Sequence, residues 1–75
     1  MSRPIHTIAR DIRRDWQRVN YAALPYLDAM ACLDSPEDNY GLDDARNIVR
    51  YFLANASSWR GDVARAVKAE LKAML

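Results

Sequence analysis

The stretch Asp43–Ala56, DDARNIVRYFLANA, constrains this chain more than any other. Its apolar residues Ala45, Ile48, Val49, Phe52, Leu53 and Ala56 follow an i, i+3, i+4, i+7, i+8, i+11 series. That spacing is one face of an α-helix sustained for about three turns. A carboxylate at Asp43 or Asp44 can cap its start by accepting from the free N–H groups of the first turn. Phe52, the only Phe, stands mid-face, where other helices can meet it. A chain with such a helix at its centre needs amphipathic partners on either side, and the sequence supplies them.

Helix 1 is expected from about Pro4 to Val19, since Pro is favoured at a first helical position. Ile5, Ile8, Ile12, Trp16 and Val19 form its apolar stripe. Arg10, Arg13, Arg14 and Arg18 lie opposite, with Asp11 and Asp15 flanking them. Helix 2 is expected to start between Ala22 and Leu24 and to end near Leu33. Pro25 falls in its first turn, where no N–H is required. Its apolar face is Ala23, Leu24, Leu27, Met30 and Ala31. Residues Asp34–Gly41 read as a loop rich in acids and turn formers, with Tyr40 and Leu42 placed to tuck back onto the core.

Asn55–Ser58 is the next break, and Ser57 or Ser58 is a suitable cap for helix 4, with Asp62 in its first turn. Trp59, Val63, Val67, Leu71 and Met74 run along its apolar side. Arg65, Lys68 and Lys72 face away. Glu70 borders the apolar face, where it can accept from a Trp N–H or pair with an Arg. The expectation is an all-α, compact single domain of four short helices over residues 1–75, with Trp16, Phe52 and Trp59 dominating the core.

Size and charge limit what such a domain can do. Seventy-five residues bury a modest core, which is marginal unless well packed or covered by a second copy. Net charge is +1 but unevenly spread. Residues 1–20 carry five Arg and two Asp, residues 21–47 six acids and one Arg, and residues 48–75 five bases and two acids. Such segregation means either an electrostatic partner surface or segments that neutralise one another within the fold. The one Cys, Cys32, excludes an internal disulfide and suits a reducing compartment, most simply the cytoplasm. No apolar run approaches the roughly 18 residues of a membrane span, and MSRPIHTIARD has no apolar signal core.

Enzymatic chemistry finds no support. His6 is the only His and has no metal-ligand neighbour at useful spacing, so neither a metal site nor a catalytic triad can be assembled around it. The two Gly are isolated and form no phosphate-cradling loop. Counted from Asp34, a calcium loop would put Pro36 third, Asn39 sixth and Ala45 twelfth, which are the wrong residues. The Asn55-Ala56-Ser57 sequon stands at a helix end and is read as chance. No cofactor is expected.

Surfaces remain. Four Arg within Arg10–Arg18 suit carboxylate or phosphate recognition, because guanidinium forks bind both in two-point fashion; the alternative is a solvated helix face. Arg50 and Tyr51 on helix 3 pair residue types enriched at protein interfaces, although Tyr51, Tyr26 and Tyr40 also suit the edge of a core. Helices 3 and 4 can be read as a helix-turn-helix with Arg60, Arg65, Lys68 and Lys72 on the second helix. The break between them lacks the Gly often found in that turn, and the acidic middle of the chain repels phosphates.

The order Ile8-Ala9-Arg10, Asp15-Trp16, Pro25-Tyr26-Leu27-Asp28-Ala29-Met30, Tyr40-Gly41, Tyr51-Phe52-Leu53-x-Asn55, Trp59-Arg60-Gly61 and Lys68-x-Glu70-Leu71-Lys72 resembles small uncharacterised proteins of bacterial plasmids, integrative elements and phages. The resemblance spans nearly the whole chain and brings no functional residues with it. It implies a bacterial cytoplasm and an accessory gene of a mobile element. The expectation is a non-enzymatic protein-binding module, for example an inhibitor of a host defence protein such as a CRISPR complex. Its contacts would be Arg10, Arg13, Arg14, Arg18, Arg50 and Tyr51. The alternatives are a nucleic-acid-binding regulator using the basic faces of helix 1 or helix 4, and a homodimer, which is compatible with either.

Overall fold

The computed structural model describes residues 3–75, so Met1 and Ser2 of the expected domain lie outside the described residues. Four helices follow in order: α1 (Ile5–Asp15), α2 (Leu24–Met30), α3 (Ala45–Ala54) and α4 (Asp62–Lys72). Between α2 and α3 the chain forms two short strands, β1 (Asn39–Tyr40) and β2 (Asp43–Asp44), paired antiparallel with Tyr40 opposite Asp43. The fold is therefore mostly helical rather than purely all-α. α2 packs on α3 and on α1, and α1 packs on α4.

The core is the apolar face of each helix turned to a common centre. Ile5, Ile8 and Ile12 of α1, Leu27 and Met30 of α2, Ile48, Val49 and Phe52 of α3, and Val67 and Leu71 of α4 are all buried. At its middle three aromatic rings meet. Trp16 lies nearly parallel to Trp59, with centroids 5.8 Å apart and an interplanar angle of 11°. Phe52 meets both indoles edge-on, at 6.2 Å from Trp16 and 6.4 Å from Trp59. Offset-stacked and edge-to-face contacts are the arrangements that the ring quadrupole favours. The indole N–H of Trp59 donates to the Asp15 carboxylate at 2.8 Å, so the one polar atom carried inward by that ring is satisfied.

This cluster corrects the expected end of helix 1. Trp16 leaves helical geometry, with φ −93° and ψ 86°, and α1 stops at Asp15 instead of continuing to Val19. The buried indole fixes where the chain must turn, and packing overrides the helical spacing. Val19 still rests against the core as a partly buried residue. Helix 4 also differs. Neither Ser57 nor Ser58 caps it; it begins after Gly61, with no side-chain cap. Trp59 thus precedes the helix, the buried face starts at Ala64, and Val63 is 45% exposed.

Asp44, one of the two expected caps, accepts from the Arg46 N–H at 2.8 Å and starts α3. α2 is shorter than expected, ending at Met30, and Leu33 reaches the core from the segment beyond it. That segment has a second role. The carbonyls of Asp34 and Leu33 accept from the N–H groups of Ile5 and His6, at 2.9 and 2.8 Å. These are first-turn donors of α1 that its own backbone cannot satisfy.

The acidic loop is held from within. The Asp38 carboxylate accepts from the backbone N–H groups of Asp34 and Ser35, at 2.9 and 3.0 Å. Gly41 turns the hairpin with φ +63°, and Leu42 has no positive φ, the sign pattern of a II′ turn. The tip points outward. Tyr40 is exposed and Leu42 wholly so, and neither folds back onto the core. Arg46 crosses behind the loop and donates to the carbonyls of Pro36 and Met74, at 3.2 and 3.3 Å.

Arg3 joins the two ends of the helical layer. Its guanidinium donates to both oxygens of Glu70, at 3.0 and 2.8 Å, and also to Asp11. Glu70 thus pairs with an Arg, one of its two expected roles, while Asp15 serves the Trp N–H. The hydrogen bonds from Arg3 hold the Glu70 and Asp11 carboxyls below their ordinary range. The Ser35 and Asp34 N–H groups do the same for Asp38.

Phe52→Ala empties the meeting point of three rings and costs about 3–5 kcal/mol, which urea denaturation followed by Trp fluorescence will report as a large fall in midpoint. The three depressed carboxyls release their protons at lower pH in the folded chain than in the unfolded one. The stability they contribute is therefore present above the ordinary carboxylate range and lost as pH falls through the folded values. Urea midpoints measured from pH 7 down to pH 2.5 should fall below about pH 4, and Arg3→Ala should flatten that dependence. At pH 7 the same substitution costs only about 1 kcal/mol, since the group is partly solvated.

Candidate functional site

Arg10, Arg13 and Arg14 are exposed on α1, whereas Arg18 lies beyond the helix end, in the bend after Trp16. Arg13 reaches across to the Asp28 carboxylate on α2. Arg10 and Arg14 have no carboxylate within 4.0 Å among the described residues. Arg14 lines a shallow groove with Asp11, Asp15 and the exposed Val63 of α4.

Arg50 and Tyr51 lie together on the outer face of α3. The Arg50 guanidinium donates to the Asn47 side chain at 2.8 Å. The Tyr51 ring rests against Tyr26 of α2, centroids 5.3 Å apart and tilted by 45°. Asn55 donates to the Tyr51 carbonyl at 2.9 Å, and Asn20 donates to the Asn55 carbonyl at 3.1 Å, tying down the end of the helix. α2 thus stands between the two groups: Asp28 holds Arg13, and Tyr26 supports Tyr51. The structure places these residues on either side of one short helix, with Arg10 and Arg14 further round α1.

Two features of the surface are not evident from residue spacing. Tyr21, in the turn before α2, is 88% exposed, the most exposed aromatic among the described residues. The other is a cleft of about 310 Å³ beside the start of α4, lined by Trp59, Arg60, Gly61, Ala64, Arg65 and Lys68. The basic residues of helix 4 are visible in the sequence, but their gathering around Trp59 depends on how residues 55–61 fold. The Lys68 ammonium donates to the Trp59 carbonyl at 2.6 Å and stands 5.9 Å from the centre of its ring. Burial, and then the positive charges of Lys72 and Arg60, lower its pKa.

The α3–α4 connection, residues 55–61, is longer than the turn of about three to four residues in a helix-turn-helix. It carries the core residues Ala56 and Trp59, so the two helices are not the compact reading unit considered above. His6 faces Asp34 at 3.4 Å on the surface. Among the described residues no group of three or more His, Cys, Asp or Glu side chains is placed to hold a metal ion. Among the same residues no helix is long and apolar enough to cross a membrane.

Gly61 adopts φ +113° and ψ −179°, a conformation that an L side chain disfavours by about 1–3 kcal/mol. A Cβ there would meet nothing within 4 Å, so the requirement is one of backbone conformation alone. Gly61→Ala is expected to lower stability by that amount in urea denaturation, with no loss of helical circular dichroism in the folded state. No protein-family model, no curated protein and no solved structure matches this chain.

Proposed function

We propose that this chain is a small, non-enzymatic protein-binding module whose contact face is centred on Tyr51 and Arg50 of α3. The observation that carries this reading is the Tyr51 ring, 45% exposed yet held against Tyr26. A half-exposed aromatic fixed in place offers contact area with little further loss of side-chain freedom on binding. Arg50, held by Asn47, adds a planar donor beside it, and Tyr and Arg are both residue types enriched at the energetic centres of interfaces. Arg13, Arg10, Arg14 and Arg18 extend the positive charge on the other side of α2 and would steer an acidic partner.

The likeness of the sequence to proteins of plasmids, integrative elements and phages gives this module a context. The proposed role is a host-directed inhibitor or adaptor in a bacterial cell, with a component of a defence system, such as a CRISPR complex, as the class of partner.

The test is affinity capture from bacterial lysate treated with nuclease, using wild type, Tyr51→Ala and Arg50→Glu. Both side chains are exposed, so the variants should keep wild-type circular dichroism. The expected result is a discrete protein partner that survives nuclease and is at least tenfold depleted with either variant, corresponding to about 1.4 kcal/mol or more. Capture unchanged by both substitutions overturns the assignment of this face. Capture that disappears with nuclease overturns the protein-binding role.

A further inference from the structure

The cleft at the start of α4 collects positive charge without an internal answer to it. Arg60, Arg65 and Lys68 line it, and Lys72 lies one turn beyond Lys68. The acids of α4 are two. Glu70 is taken by Arg3 in a two-point contact. Asp62 pairs with Arg65 at 3.7 Å, but that pair is almost fully exposed, and such pairs are weak and yield readily to a better acceptor. Asp15, next to Trp59, already accepts from its indole N–H.

Lys68 is the fixed point of the cleft. An ammonium has three donors. One is committed to the Trp59 carbonyl, and that contact, with the ring close by, holds the side chain in place. No carboxylate lies within 4.0 Å of it among the described residues. Two donors are left for another acceptor. Arg60 makes no hydrogen bond or ion pair among the described residues, and its fork is likewise uncommitted. Like charges gathered on a concave surface raise the free energy of the empty site, and an oxyanion with several acceptor oxygens relieves it.

We infer that this cleft binds a single phosphoryl group, held by Lys68, Arg60 and Arg65 against the Gly61 backbone. Arg60, Arg65 and Lys68 line one hollow beside Trp59 and Gly61, and Lys72, a turn further along α4, is outside that lining, which suits one compact, doubly charged group. A free phosphate ion and the terminal phosphate of a monoester share this chemistry. The site is carried by α4 and residues 59–61, and it is independent of the protein-contact face on α3.

The test is a titration with inorganic phosphate followed by amide chemical shifts, with sodium chloride at matched ionic strength as the reference. Saturable shifts confined to residues 59–68, with a roughly millimolar dissociation constant, are expected with phosphate and not with chloride. A nucleoside 5′-monophosphate run in parallel distinguishes the two sources. Equal affinity assigns free phosphate, tighter binding assigns an ester, and both support the site. Lys68→Gln and Arg60→Gln are each expected to weaken binding about tenfold, and Arg10→Gln to leave it unchanged. Because Arg60 is exposed and makes no side-chain hydrogen bond or ion pair among the described residues, its variant reports on the ligand even if loss of Lys68 unsettles the fold. Shifts that chloride reproduces, or phosphate affinity unchanged by Arg60→Gln, overturn the proposal. So does much tighter binding of a single-stranded oligonucleotide with shifts extending over Arg10 and Arg14, which would make the surface a nucleic-acid track.

Discussion

The fold depends on the meeting of Trp16, Phe52 and Trp59. Each ring comes from a different part of the chain: one from the residue that ends α1, one from the middle of α3, and one from the segment before α4. Their contact fixes where α1 stops, how residues 55–61 turn back, and where α4 begins. It also sets the polar arrangement around it. Asp15 is the last residue of α1 because Trp16 turns inward, and there its carboxylate meets the Trp59 N–H. The Trp59 carbonyl in turn holds Lys68. A core contact thus places a cation at the surface, which is how a hydrophobic constraint comes to shape the charged cleft.

Charge is handled mainly across the chain. Arg3 reaches Glu70, Arg13 reaches Asp28 and Arg46 reaches Glu37. Of these pairs, Arg13–Asp28 joins a basic segment to the acidic middle, Arg3–Glu70 joins the two basic segments, and Arg46–Glu37 lies within the middle one. The cations left over are more informative than the total. Arg10 and Arg14 on α1, and the group around Lys68 on α4, are positive charges that the fold has gathered but not neutralised. Most of these pairs are partly solvated and contribute modestly to stability. Their larger effect is to fix which segments lie side by side.

Much of the architecture was legible in the residues. The apolar series of α3, the Ile5, Ile8 and Ile12 stripe of α1 and the three core aromatics follow from spacing and size. What escaped has identifiable physical causes. The hairpin has two-residue strands with exposed side chains, so it leaves no periodic signal to read. The end of α1 is imposed by a ring that packs 43 positions away in sequence, from Trp16 to Trp59. The start of α4 rests on a glycine conformation rather than on the serines that resemble caps. For the candidate surfaces the residue types were visible but their grouping was not. Arg18 lies beyond the end of α1 because the helix stops early, and Lys68 joins Arg60 at the cleft because the preceding segment folds back.

The stack of the two indoles also bears on the order in which the molecule forms. α2, the hairpin and α3 are close neighbours in sequence, and their contacts close short loops. The Asp15–Trp59 hydrogen bond, by contrast, closes a loop of 44 residues, more than half the chain, and loop closure of that length must precede any gain from the contact. The Arg3–Glu70 contact spans further still, 67 positions. Each carries a larger closure cost than the contacts between α2 and α3. Most of the chain is thus enclosed between contacts made near its two ends.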